Sequence, residues 1–273
     1  MYKLLLVTNR PEVVSAFDSI QDWEGLGFRM VRKASSPEDA IAHLKAHHSD
    51  AIALALPPEE EHRLITFLNE RYPLRPIMRA TANPEEICAY ARETEQLLTR
   101  TRADYSNDRY DEAEMMAIIR HNYFRRMLSG AERDPQRIRR GLLLVRSKMD
   151  PDQPCVAVRL SVPDDDGYIA SHWKHGAEGL EVAMRNIFGA ELNGMRILTS
   201  ILPDEHIYTV ACPLLGTEPR DPDEMLEEVT SHVSGNLSHI YEYLNIDMRI
   251  DAVCVLPSIL ELPTLQDGET ATA

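Results

Sequence analysis

Lys3-Leu4-Leu5-Leu6-Val7-Thr8-Asn9-Arg10-Pro11-Glu12 and Ser49-Asp50-Ala51-Ile52-Ala53-Leu54-Ala55-Leu56-Pro57-Pro58 share one form: an unbroken apolar run, then a turn containing proline. Runs this short between turn formers read as strands covered on both faces. Helical patterns follow each, from Pro11 to about Gln21 and from Glu59 to Arg71. Further strands are expected at Gly27–Val31 and Pro76–Ala80. Between them Ser36-Pro37-Glu38-Asp39 opens another helix, with Ser36 as N-cap and Pro37 at the first helical position. Strands alternating with helices predict a parallel sheet over residues 1–82.

Beyond Pro84 the pattern changes. Helices are expected over Pro84 to Thr101, Asp111 to Ser129 and Pro135 to Met149, and 83–150 reads as a helical linker. The alternative is a fifth strand rebuilt around Ala89–Leu98. The last third gives a strand at Cys155–Val162, a helix at Tyr168–Phe188 and a hairpin of Met195–Leu202 with His206–Leu214. A helix at Asp221–Leu244 and a strand at Asp247–Leu256 complete a β-α-β-β-α-β order, which predicts an α+β sandwich over 151–260 and a flexible tail at 261–273.

The composition bounds the function. Of 273 residues, 44% are hydrophobic and 27% charged, as in a globular protein of two domains. A formal net charge of −15 argues against general binding to nucleic acid or anionic membranes, both of which need summed positive potential. The four cysteines form no CxxC pair, and no stretch has the length of a signal peptide or a membrane span, so a cytoplasmic location is expected.

The N-terminal order and its two quoted strands resemble the receiver domain of response regulators, in a flavodoxin-like fold. That resemblance implies two acidic metal-binding residues at the end of the first strand, where this chain has Thr8 and Asn9. It implies a phospho-accepting aspartate at the end of the third strand, where Ala55 stands. The family's switch hydroxyl is matched by Thr81, and the fifth-strand lysine has no match. A phosphorylation-incompetent receiver is the expectation.

Residues 111–257 are similar to the middle region of AraC-type response regulators, a degenerate GGDEF-like palm; the carrying stretch runs from His121 to Gly130, followed by a short helix and the strand at Cys155. Where a cyclase carries its glycine-rich hairpin this chain has Leu202-Pro203-Asp204-Glu205-His206, and the first-strand metal position falls near Ser161. Leucine and proline in place of glycines hold the backbone away from a nucleotide, so Asp204 and Glu205 read as turn residues and no catalysis is expected.

Other constellations have ordinary readings. The pairs His43/His47 and His172/His175 lack a third ligand at supportive spacing, and Asp164-Asp165-Asp166-Gly167 lacks the alternation of a calcium loop. Neither a metal nor a cofactor is expected. Arg120, Arg125, Arg126, Arg133, Arg137, Arg139, Arg140 and Arg146 read either as a docking surface for an acidic partner or as solvated faces with acidic neighbours. Met115, Met116, Ile119, Tyr123 and Phe124 form an apolar stripe that is the candidate homodimer interface.

The sequence therefore predicts a non-enzymatic signal-transduction or transcription-regulation protein that acts through contacts with itself or a regulatory protein. Two alternatives stand beside it: an AraC-type DNA-binding regulator whose helix-turn-helix domain is missing from this chain, and a nucleotide-sensing palm without turnover.

Overall fold

In the computed structural model the described residues are 1–29, 31–103, 112–162, 176–202 and 206–267. They form two compact units, Met1–Arg120 with Arg140–Ser147, and His121–Arg139 with Lys148–Ala273. The fold is mixed α/β, with one four-stranded parallel sheet and a separate five-stranded antiparallel sheet.

Unit 1 is built on strands β1 (Leu4–Thr8), β2 (Arg32–Ala34), β3 (Ala51–Ala55) and β4 (Ile77–Arg79), in the order β2-β1-β3-β4 with every neighbour parallel. All five residues of β1 and all five of β3 are buried, as unbroken apolar runs require. Helices α1 (Pro11–Ser19), α2 (Pro37–Ala46), α3 (Pro58–Arg71) and α4 (Pro84–Ala103) accompany the sheet. Leu4, Leu6, Ala51 and Ala53 share a core with Val13 and Phe17 of α1 and Ile87, Ala91 and Leu98 of α4. Alternation turns Leu5, Val7, Ile52 and Leu54 to the other face, and all four are fully buried.

The Ser36 cap holds, because its side chain accepts the Asp39 N–H and Pro37 opens α2. Two expectations fail. Strand β2 is not at Gly27–Val31, because Gly27 sits at φ 83°, a left-handed conformation that ends a turn and cannot continue a strand. There Phe28 makes only an isolated bridge to Tyr2, and the ladder resumes at Arg32. Residues 84–103 are not linker either. Ile87, Ala91 and Leu98 recur on one face of α4 and bury against the sheet, so this helix completes unit 1, and no strand forms at Ala89–Leu98.

Helices α5 (Glu112–Leu128) and α6 (Pro135–Leu144) each carry residues of both units. Unit 2 holds β5 (Cys155–Ser161), α7 (Gly176–Phe188), β6 (Glu191–Leu192), β7 (Met195–Ile201), β8 (Ile207–Pro213), α8 (Pro222–Leu244) and β9 (Arg249–Leu256). Its sheet runs β6-β7-β8-β5-β9, antiparallel throughout. Val156, Val158 and Leu160 face Leu180, Met184 and Phe188 of α7 and Met225, Val229 and Val233 of α8, helical residues spaced by four. Asp221 caps α8 by accepting the Asp223 and Glu224 N–H groups. The stretch after β9 begins as a 3-10 helix, Ile259–Asp267, rather than a flexible tail, and it buries Leu262 completely.

Cys155 and Cys212 lie fully buried in unit 2, whereas Cys88 and Cys254 are partly exposed. Burial first, and then neighbouring Cys254, push the Cys155 thiol up to about 12, and burial pushes Cys212 well above the ordinary thiol range. Because the thiolate is the nucleophile, the native protein at pH 7 is expected to titrate with a thiol reagent at no more than Cys88 and Cys254. All four cysteines should react after unfolding in denaturant. Rapid native labelling of Cys155 or Cys212, mapped by peptide mass, would contradict the packing described.

Candidate functional site

The carboxyl ends of the parallel strands are where a doubly wound sheet places its chemistry. Here the side chains come from Thr8 at the end of β1, Asn9 beyond it, Ala55 at the end of β3 and Thr81 just after β4. Thr8 and Ala55 are paired across the ladder. The buried Thr8 hydroxyl donates to the Ala55 carbonyl at 2.8 Å and accepts the Arg10 N–H at 3.1 Å. Both strand ends are thus tied by a neutral hydrogen bond, and Asn9 is exposed beside them.

Thr81 is engaged locally. Its hydroxyl accepts the Asn83 N–H at 3.2 Å and lies 3.3 Å from the Asn83 carbonyl, while the Asn83 side chain accepts the Glu85 N–H at the start of α4. This is the turn chemistry of a helix entry. Arg79, at the end of β4, binds both carboxylate oxygens of Glu61 on α3, at 2.6 and 2.7 Å. Asp50, which precedes β3, accepts the Lys3 N–H at 2.6 Å and contacts His48 at 2.8 Å, so this acid serves the opposite end of the sheet.

In unit 2, Asp204 and Glu205 lie outside the described residues, as do Asp164–Gly167, His172 and His175. His43 and His47 are adjacent, their rings 4.9 Å apart, and burial with the neighbouring His47 lowers the His43 pKa. Among the described residues no group of three His, Cys, Asp or Glu side chains is arranged to hold a metal ion.

The expected dimer stripe on α5 is divided. Phe124 is 1% exposed, inside unit 2, and the Tyr123 hydroxyl donates to the Arg137 carbonyl at 3.0 Å. Met116 is also buried, whereas Met115 and Ile119 are half-buried and Ile118 is exposed. Most of the clustered arginines have acidic neighbours: Arg126 with Glu132, Arg137 with Asp134, Arg139 with Asp152 and Arg140 with Glu93.

Arg125 does more than pair. It donates to both carboxylate oxygens of Glu181 on α7, at 3.0 and 3.1 Å. Glu181 is 3% exposed. It also accepts the Ser200 hydroxyl and the Ile201 N–H of β7, each at 2.9 Å, and His121 lies in ion-pair contact with it. The short β6 covers only the Met195–Arg196 end of β7, so the Glu181 carboxylate satisfies a backbone donor on an otherwise open strand edge. Sequence reading missed this cluster. His121 and Arg125 stand four apart on α5 and so share a face, but Glu181 and Ser200 reach them only through tertiary folding.

No family model matches this chain, and no curated protein matches it.

Burial alone would raise the Glu181 carboxyl, but His121, the Ile201 N–H and Arg125 outweigh it and hold the group at about 2. A carboxyl whose folded pKa is depressed stabilises the fold above its unfolded pKa, and that stability disappears as pH falls toward the folded pKa. The difference between those pKa values corresponds to roughly 3 kcal/mol at neutral pH. Glu181→Gln is therefore expected to lose about that much in urea unfolding at pH 7, with the gap to the parent protein narrowing from pH 5 to pH 3. A gap that stayed constant over this range would refute the charge argument.

Proposed function

We propose that this chain is a non-enzymatic signalling protein in which a receiver-like unit and a palm-like unit act as binding surfaces. The strand order β2-β1-β3-β4 supports a flavodoxin-like reading of unit 1, and the antiparallel run β7-β8-β5-β9 supports a ferredoxin-like, palm-type reading of unit 2. The observation that carries the reading is the Thr8–Ala55 hydrogen bond. It fills, with a hydroxyl and a backbone carbonyl, the place where phosphotransfer needs an acceptor carboxylate and acidic metal ligands. Thr81, the counterpart of the switch hydroxyl, is occupied by the entry to α4.

A unit of this kind transmits by contact rather than by phosphorylation, and we place it in the cytoplasm. Among the described residues no helix is long and apolar enough to cross a membrane. The partner is a protein, either a second copy or a regulator. On α5 the side chains left for it are Met115, Ile118, Ile119 and Tyr123, because Met116, Phe124, Met127 and Leu128 are buried.

Incubation with acetyl phosphate and magnesium, read by intact mass, tests the first part. The protein is expected to gain no phosphoryl group, and Ala55→Asp is expected to gain none either, because Thr8 and Asn9 supply no metal-binding carboxylate. Stoichiometric phosphorylation of the parent protein would overturn the reading. Light scattering tests self-association: a dimer that Ile118→Glu converts to monomer is expected, and a monomer at micromolar concentration removes the second copy as partner.

A further inference from the structure

Strand β9 closes one side of the antiparallel sheet of unit 2, and among the described residues no strand or backbone group pairs with its outer edge. Such an edge presents a row of free donors and acceptors, which proteins ordinarily guard with charge, proline or a bulge. On β9 the guards sit at one end. Arg249 and Asp251 are exposed, and the ladder to β5 is irregular there, with Asp251 as the extra residue. From Ala252 to Val255 the strand carries neither charge nor proline, and all four residues are only half-buried.

Helix α8 turns that edge into a groove. Met225, Val229, Val233 and Ile240 form its buried line. One position before Val229 and Val233, Glu228 accepts from the Asn193 side chain and His232 donates to the Phe188 carbonyl at 2.8 Å. That flank of α8 therefore faces α7 and the β6–β7 turn. Leu226 and Thr230, one position after the buried line, and Leu237 seven further on occupy the opposite flank. Because α8 lies over β5 and β9 while α7 lies over β7, this second flank overhangs the open edge. Leu226, Thr230 and Leu237 are half-buried there, as are Ile250, Val253 and Val255 on the same face of the sheet.

We propose that this groove binds an extended, basic segment of a partner protein, which joins β9 as a further antiparallel strand. Backbone bonds to the edge supply affinity, and the space beside α8 selects aliphatic side chains at every second position. Charge sets the rest of the segment. The short connection 245–248 returns the chain antiparallel to α8, so Val255 and Leu226 share one end of the groove. Asp223, Glu224 and Glu227 are exposed at that end, and Arg220, the cation nearest in sequence, is taken by Glu228. An antiparallel strand begins there, so its first residues are basic. A second copy would bring its own net charge of −15 to these acids, which favours a different, basic protein. The proposal rests on the reading of unit 2 as a binding surface and involves neither α5 nor phosphotransfer in unit 1.

Selection of a displayed library of short random peptides on the full chain, followed by hydrogen exchange with the enriched peptide, tests the proposal. The expected peptides carry Lys or Arg near the N-terminus and then aliphatic residues at alternate positions. Bound peptide should slow exchange in β9 and leave β1 unchanged. Glu227→Lys, at an exposed position, should fold normally and weaken binding about tenfold, and Thr230→Arg, which fills the groove, should weaken it further. No enrichment, enriched peptides without basic residues, slowed exchange away from β9, or binding unaltered in both variants would each overturn the assignment. Protection of β9 that grows with protein concentration in the absence of peptide would overturn it in favour of a second copy. These readouts are separate from acetyl phosphate labelling and from the effect of Ile118→Glu, so this site and the signalling reading can fail independently.

Discussion

Among the described residues of unit 2, Glu181 is a buried acid that ties several elements together. A carboxylate at 3% exposure is tolerated only where its partners outweigh desolvation, and here they come from two elements, Arg125 and His121 on α5 and Ser200 and the Ile201 N–H on β7, while α7 supplies the acid itself. Apolar packing presses α7 onto the sheet at Leu180, Met184 and Phe188, but such contacts are nondirectional and would accept small slips. The Glu181 bonds admit one position. They fix the rotation of α5 about its own axis within unit 2, and that rotation decides that Phe124 goes inward. Removing one member leaves the rest as buried, unpaired charge, so the cluster behaves as a unit.

The end of the parallel sheet in unit 1 is governed by the opposite logic. Thr8 and Ala55 meet as a hydroxyl and a carbonyl, with no charge in the pair. A neutral bond of this kind contributes about 1 kcal/mol and carries no net charge. Arg79 is answered by Glu61, and Thr81 by the entry to α4. The strand ends are self-sufficient.

What could be read from the sequence follows the range of the interactions involved. Leu4–Thr8 and Ala51–Ala55 were legible because a strand buried on both faces leaves an unbroken apolar run, and the Ser36-Pro37 cap because it is chemistry between near neighbours. The second strand was misplaced because Gly27 sits inside an apolar stretch whose strand propensity its left-handed backbone overrides. The role of α4 was misjudged for another reason. Its apolar face at Ile87, Ala91 and Leu98 was visible, but which surface it covers depends on contacts far away in the chain. The Glu181 cluster brings Arg125 to Ser200 across a separation of 75 residues, and nothing local marks them as partners.

The arginines between 120 and 146 show how far composition can carry a functional argument. As a group they read as a positive face on an acidic protein, and that description was compatible with both docking and simple solvation. Their individual partners separate them. Arg126, Arg137, Arg139 and Arg140 each meet an acid near the surface, where an ion pair is worth little, and they need no further explanation. Arg125 is consumed by Glu181. Arg146 is enclosed, meets only an amide oxygen, and sits where the backbone favours glycine.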